Sequence, residues 1–193
     1  MRPLLAGAAV LLALIAAPPA IADKPDKPRI DPLDVRRADD RIAVSFHVPN
    51  ALADETLARI HSGLPVEHRH RVELVARRSV PLWPAKVLGR VRVDTSAVFD
   101  TLTLRFDLSR TVLAGPRDNK KWIVVDEQRH STASVDEVRQ WMTHFDLLPA
   151  LEIPESARGS RLRVRIESTL DRRFVWYMFP SKLTVSAERK LEP

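Results

Sequence analysis

From Arg161 to Leu170 the chain alternates with a period of two. Leu162, Val164 and Ile166 fall on one side, and Arg161, Arg163 and Arg165 on the other. Successive side chains of a strand point to opposite faces, so this segment demands a sheet with one dry and one wet face. Ile42-Ala43-Val44-Ser45-Phe46-His47-Val48 repeats the demand, with Ile42, Val44, Phe46 and Val48 set against Ala43, Ser45 and His47. Parallel sheets, covered on both faces by crossover helices, read instead as continuous apolar runs. The alternation therefore selects antiparallel pairing.

Further strands are predicted at Leu33–Val35, Val66–Val75, Lys86–Thr95, Val98–Leu108, Trp122–Val125, Phe174–Phe179 and Leu183–Val185. Ala38-Asp39-Asp40 supplies a turn after the first, and Gly115 to Asn119 an exposed loop. Asn50 is placed to cap a helix from Ala51 to about Ser62, with Leu52, Leu57 and Ile60 as its apolar stripe and Gly63 as its stop. Ser134 and Glu137 form a capping-box pair for a second helix carrying Val138, Trp141, Met142 and Phe145 on one face. Strand and helix do not alternate as in βαβ units. The expected fold class is mainly β (β-rich α+β): an antiparallel sandwich or strongly curved sheet with two short helices at its ends.

The N-terminus carries a different kind of signal. Arg2 is followed by an apolar run from Pro3 to Ala17, closed by Pro18-Pro19 and by the small-x-small triplet Ala20-Ile21-Ala22. That is the pattern of a secretory signal peptide, residues 1–22, cut between Ala22 and Asp23, and it predicts a periplasmic or secreted protein. Residues 23–32, with Pro25, Pro28 and Pro32, read as a flexible leader, 33–187 as one domain and 188–193 as a charged tail. The chain has no cysteine, which removes thiol catalysis, thiolate metal sites and disulfides from consideration. Its formal charge is +6. Outside the cytoplasm the relevant polyanions are lipid head groups, polysaccharide and acidic proteins rather than nucleic acid, and no long basic tract argues otherwise.

Two segments carry a family resemblance. One is the helix leading into Ser62-Gly63-Leu64-Pro65-Val66 and the strand ending near Val72-Glu73-Leu74. The other is Phe99-Asp100-Thr101-Leu102-Thr103-Leu104-Arg105-Phe106. Across roughly Leu33 to Leu170 the chain resembles the secreted bacterial proteins of the domain of unknown function 4390 family. The tryptophan-rich segment of that pattern is reduced here to Pro81-Leu82-Trp83-Pro84. The resemblance implies little about activity, the family having no established enzymatic role, and no cofactor is expected. It points to an envelope protein as partner, in particular the extracytoplasmic part of a membrane sensor kinase of the nitrogen-regulation type.

Among the chemical candidates, His68 and His70 share a strand face with the spacing of two metal ligands, but they lie beside Val66, Val72 and Leu74 with no third ligand singled out. No G-x-S-x-G elbow and no glycine-rich phosphate loop is present, and the acid pairs Asp39-Asp40 and Asp126-Glu127 fall at predicted turns. Catalytic residues are therefore not assigned. Two surfaces remain as partner contacts. Arg161, Arg163 and Arg165, with Arg172 and Arg173 beyond the next turn, form a basic ridge if their strand lies at a sheet edge. Phe174-Val175-Trp176-Tyr177-Met178-Phe179, as a strand apolar on both faces, offers Trp176, Tyr177 and Phe179 to a partner or lipid unless covered. The predicted function is a non-catalytic protein-binding envelope module; a carrier or sensor of an apolar or lipid ligand is the alternative, and a metal-dependent hydrolase using His68 and His70 is the third reading.

Overall fold

The computed structural model describes residues 27–77, 85–115, 121–175 and 179–191. Nine strands and two α-helices follow in the order β1 (Leu33–Ala38), β2 (Arg41–His47), α1 (Asp54–His61), β3 (Val66–Ala76), β4 (Lys86–Asp100), β5 (Arg105–Gly115), β6 (Ile123–Thr132), α2 (Val135–Thr143), β7 (His144–Glu152), β8 (Leu162–Val175) and β9 (Phe179–Lys190). A six-stranded sheet in the order β6-β5-β4-β3-β8-β9 faces a three-stranded sheet in the order β1-β2-β7. All pairings are antiparallel. The fold is a β-rich α+β sandwich, as the alternation requires.

The inner faces close on two apolar clusters. The larger joins Ile42, Val44 and Phe46 of β2 and Phe145, Leu148 and Leu151 of β7 to Val72, Leu74, Val91, Val93, Val164 and Ile166 of the large sheet. The smaller joins Leu57 and Ile60 of α1 and Val138 and Met142 of α2 to Val66, Ala97, Phe106 and Leu108. Both helices thus sit at one end of the large sheet rather than at opposite ends. Each fully buried Leu, Ile or Phe contributes about 1.5–3 kcal/mol of transfer free energy, so these clusters carry the fold without cross-links.

Helix ends show where local chemistry decides. Gly63 takes φ +79°, its N–H donates to Ile60 O at 2.9 Å, and the Leu64 N–H reaches Arg59 O at 3.2 Å. This Schellman closure needs the left-handed region at the residue after the cap, which glycine enters without a Cβ penalty. Ser134 Oγ accepts the Glu137 N–H at 3.3 Å, so the second predicted cap forms. The first does not. Asn50 has φ 60°, and the helix begins at Asp54 behind Ala53, which makes no side-chain cap.

Four other expectations are corrected. The segments Lys86–Thr95 and Val98–Leu108 are really one strand to Asp100 and a second from Arg105, because Asp100 builds the turn between them. Its carboxylate accepts the Leu102 N–H at 2.9 Å and the Thr103 hydroxyl at 2.8 Å, and these bonds hold it below the usual carboxylate range, Thr103 contributing most. Phe145, expected on α2, lies instead in β7, where it pairs with Phe46 of β2; no strand is predicted there. Phe174–Phe179 is not one strand: β8 ends at Val175, β9 begins at Phe179, and these two residues are partners across the hairpin. The expected tail at 188–193 is strand as far as Lys190, with Glu188 opposite Arg165. The leader is also tied down at its end, where Asp31 N–H donates to His47 O at 2.9 Å and His47 N–H to Pro32 O at 3.1 Å.

Ile166 is fully buried at the centre of the larger cluster. Truncation to alanine is expected to cost about 2–5 kcal/mol in urea unfolding, whereas Thr169→Ala on the opposite face of the same strand should stay within about 0.5 kcal/mol.

Candidate functional site

The alternation of β3 places Val66, His68, His70, Val72 and Leu74 inward and Glu67, Arg69, Arg71 and Glu73 outward. His68 and His70 are therefore core residues, 1% and 0% exposed. His70 Nδ1 lies 2.8 Å from Ser168 Oγ on β8, its cross-strand partner, and its ring is 4.3 Å from Phe145 and 5.7 Å from Phe46. Thr95 stands opposite His68, and Arg110 opposite Thr95. A polar band of His68, His70, Thr95, Arg110 and Ser168 thus crosses the interior between the two apolar clusters.

Arg110 anchors the band to the second layer. It donates to the carbonyls of Trp141 and His144 (3.1 Å to the latter), and its guanidinium lies 4.6 Å from the Trp141 ring and 5.0 Å from that of Phe145. It ties down the C-terminal end of α2, where carbonyls lack helical partners and a cation is favoured. Burial, then His68 and Arg110, push His70 well below the ordinary imidazole range, so it is neutral at pH 7. The Ser168–His70 pair resembles a nucleophile and base, but Ser168 and His70 are each 0% exposed and no substrate reaches them. Among the described residues no three His, Asp or Glu side chains are placed to hold a metal ion. The band is built for packing the two layers in register. Sequence reading missed Ser168, whose only signal is that it falls in phase with Leu162, Val164 and Ile166.

The arginine expectation fares differently. β8 is flanked by β3 and β9, so it is an interior strand and its arginines do not blunt an edge. Arg163 and Arg165 both turn to Glu188 on β9, at 2.9 and 3.9 Å. Arg172 and Arg173 pair with Lys182 and Ser181 near the far end of the β8–β9 hairpin. Nine residues of strand, about 30 Å, separate Arg163 from Arg172, so the five do not form one ridge. Trp176 and Tyr177 lie outside the described residues, as do the side chains of Arg172, Arg173 and Phe179.

Arg161 and Arg163 enter instead a cleft of about 620 Å³ at one end of the sandwich. Among the described residues its wall carries six cations and no carboxylate: Arg37 of β1, Arg77 after β3, Arg158 and Arg161 before β8, Arg163 of β8 and Lys190 of β9. Ile153, Ala157, Leu162 and Leu191 form its apolar floor. Backbone bonds assemble it: Arg77 N–H to Arg161 O at 3.1 Å and Leu191 N–H to Leu162 O at 3.0 Å extend the ladders of β3 and β9 to the rim. Gly159, at φ +79°, turns the preceding loop back so that Arg158 and Arg161 flank the opening. Arg158 is held by Asp40 and, at 3.6 Å, by Glu155, while Arg163 has Glu188. Arg37, Arg77, Arg161 and Lys190 have no acidic partner among the described residues. A hollow of about 360 Å³ on the outer face of the large sheet, over Glu67, Arg69, Asp94 and Ser96, lacks this imbalance, because Arg69 and Asp94 pair at 2.9 Å.

Residues 26–192 match the family described as Domain of unknown function (DUF4390). The chain belongs to that family. No curated protein and no solved structure matches it. Within this DUF4390 domain the two segments that carried the resemblance have structural work. Gly63 closes α1, and Asp100 closes the β4–β5 turn.

His70 gives the domain a pH signature. Its folded pKa lies below that of a free imidazole, so the unfolded chain takes up a proton that the folded chain refuses. This contribution to stability is complete above the ordinary imidazole value of about 6.5 and is lost as pH falls through it toward the folded value. Melting temperature should therefore drop between about pH 7.5 and 5, and His70→Gln, which keeps a partner for Ser168, should flatten that drop.

Proposed function

We propose that this domain is a non-catalytic binding module that works outside the cytoplasm and holds an acidic segment of another envelope protein in the cationic end cleft. The observation that carries the reading is the cleft itself: six basic side chains, no carboxylate among the described residues of its wall, and an apolar floor continuous with the core. Such a site favours a ligand with several negative charges and a small apolar part, since paired charges fix orientation and the floor supplies burial. Residues 1–22 support the compartment through their signal-peptide pattern. The extracytoplasmic part of a membrane sensor kinase is the partner class that the family resemblance suggested, and its acidic surface segments are the first to test.

The apolar floor favours a second ligand class. Ile153, Ala157 and Leu162 are at most 5% exposed and belong to the larger core cluster, so an acyl chain seated on them meets continuous hydrocarbon. An anionic single-chain lipid is that alternative.

Fluorescence anisotropy with a labelled peptide of mixed Asp, Glu and Leu residues is expected to show saturable binding that weakens with added salt. Arg77→Glu combined with Arg161→Glu should weaken it at least about tenfold. No binding to acidic peptides, together with a bound lipid in native mass spectrometry of protein from its own envelope, would replace the first reading by the second. Binding unaffected by the double variant would remove the cleft from both.

A further inference from the structure

Among the described residues β6 is the outer strand of the six-stranded sheet, paired to β5 on one side only. An antiparallel strand with a single neighbour directs about half its backbone N–H and C=O groups away from that neighbour, which makes it a template for another strand. Natural sheets guard such edges with proline, bulges or inward charges, and β9 at the other edge carries Pro180. β6 contains no proline, and its one bulge lies at its start, where Val112 pairs with Asp126 and Leu113 with Val124 so that Val125 is the extra residue; from Asp126 to Thr132 the ladder is regular. Its first three residues, Ile123, Val124 and Val125, are 60%, 55% and 49% exposed, a β-branched run open to solvent.

The residues that follow say which strand fits. Asp126-Glu127-Gln128-Arg129-His130 reads acid, acid, neutral, base, base about Gln128. All five are exposed except Asp126, which is half-buried. If two copies of β6 pair antiparallel with Gln128 on the twofold axis, Glu127 of each chain faces Arg129 of the other, and Asp126 faces His130. Within one chain Glu127 and Arg129 already pair at 2.9 Å, with side-chain exposures of 49% and 81%. Such an exposed pair is worth little alone and exchanges partners at little cost. The neighbouring symmetric register is worse: moving the axis from Gln128 to Glu127 sets Glu127 against its own copy, like charge on like, which destabilises a cross-strand pair.

We infer that two copies of this chain associate edge to edge through β6, in the register centred on Gln128, to form one continuous twelve-stranded sheet. The interface is isologous, as a twofold axis requires, so each chain presents the same segment. It lies on the strand farthest from β9, whose end helps line the cationic cleft, and it stands independently of what that cleft binds.

Charge reversal tests partner and register together. By sedimentation at rising concentration the unaltered protein should move from the mass of one chain toward that of two. Glu127→Arg alone and Arg129→Glu alone should each remain at one chain mass, since each sets like charges against each other across the axis. Mixing these two variants should recover the double mass, and the double variant carrying both changes should dimerise like the original. Because the chain has no cysteine, Gln128→Cys provides a readout that does not depend on charge. Residues directly opposite in an antiparallel pair lie about 4.5–5.5 Å apart at Cα, within disulfide reach. Under mild oxidation Gln128→Cys should cross-link, and Ser131→Cys, about 20 Å from its symmetry mate, should not. A single-chain mass for the unaltered protein at every concentration, dimerisation of the two single variants alone, failure of their mixture to associate, or cross-linking at 131 rather than 128 would each overturn the inference. Matching thermal melts of the variants establish that they are folded.

Discussion

The register of β3 is the constraint on which the rest depends. It pairs with β4 along its whole length from Val66 to Ala76 and with β8 from His68 onward. Its inner face carries apolar residues and imidazoles, and its outer face four charged side chains. A slip of one residue would turn Glu67, Arg69, Arg71 and Glu73 into the core and expose Val66, Val72 and Leu74, which no turn or cap interaction offsets. Neighbours enforce the same choice. Glu73 meets Arg90 at 3.0 Å on the outer face, while His70 meets Ser168 on the inner one. With β3 set, β8 must place Arg163 and Arg165 outward, and the ends of β3, β8 and β9 converge where the cationic cleft opens.

The fold was largely legible in the chain because its strands alternate cleanly. Residues 42–48, 66–75 and 161–170 each carried their own burial assignment, and Gly63 and Ser134 marked helix ends through local chemistry. What could not be read arose from contacts distant in sequence. Phe145 looks helical beside Met142, yet its ring stacks on Phe46 at 4.7 Å, a packing a hundred residues away that draws it into β7. Asp100 looks like an ordinary strand-end acid until its carboxylate is seen gathering Leu102 and Thr103. Propensity at single positions gives way to tertiary packing in the first case and to turn chemistry in the second.

The candidate site was legible in part. Arg161 and Arg163 were visible as a row, but a strand pattern does not reveal whether the strand is central or peripheral. Only the topology shows that they meet Arg37, Arg77 and Arg158, contributed by segments across the chain. His68 and His70 illustrate the opposite case. Ligand spacing on a strand is also the spacing of neighbours on a buried face, and the apolar company of Val66 and Val72 was the better guide. Asp126-Glu127, expected at a turn, lies within β6 as the acidic half of an exposed charge sequence. It acquires meaning only once β6 is known to be an outer strand.

The polar band across the interior has a dynamic consequence. Apolar burial is what couples one part of a domain to another, and His68, His70, Thr95, Arg110 and Ser168 interrupt it between the helical end and the end closed by the small sheet. Local opening follows such interruptions, because separating the layers there forfeits less transfer free energy than separating them through Ile42, Phe46 or Ile166. Arg110, through the carbonyls of Trp141 and His144, and the Trp141 indole N–H, through Ser109 O, fasten α2 and the start of β7 to β5 across that line. The helical end is thus a unit that can breathe while the opposite end, with its cationic mouth, stays shut.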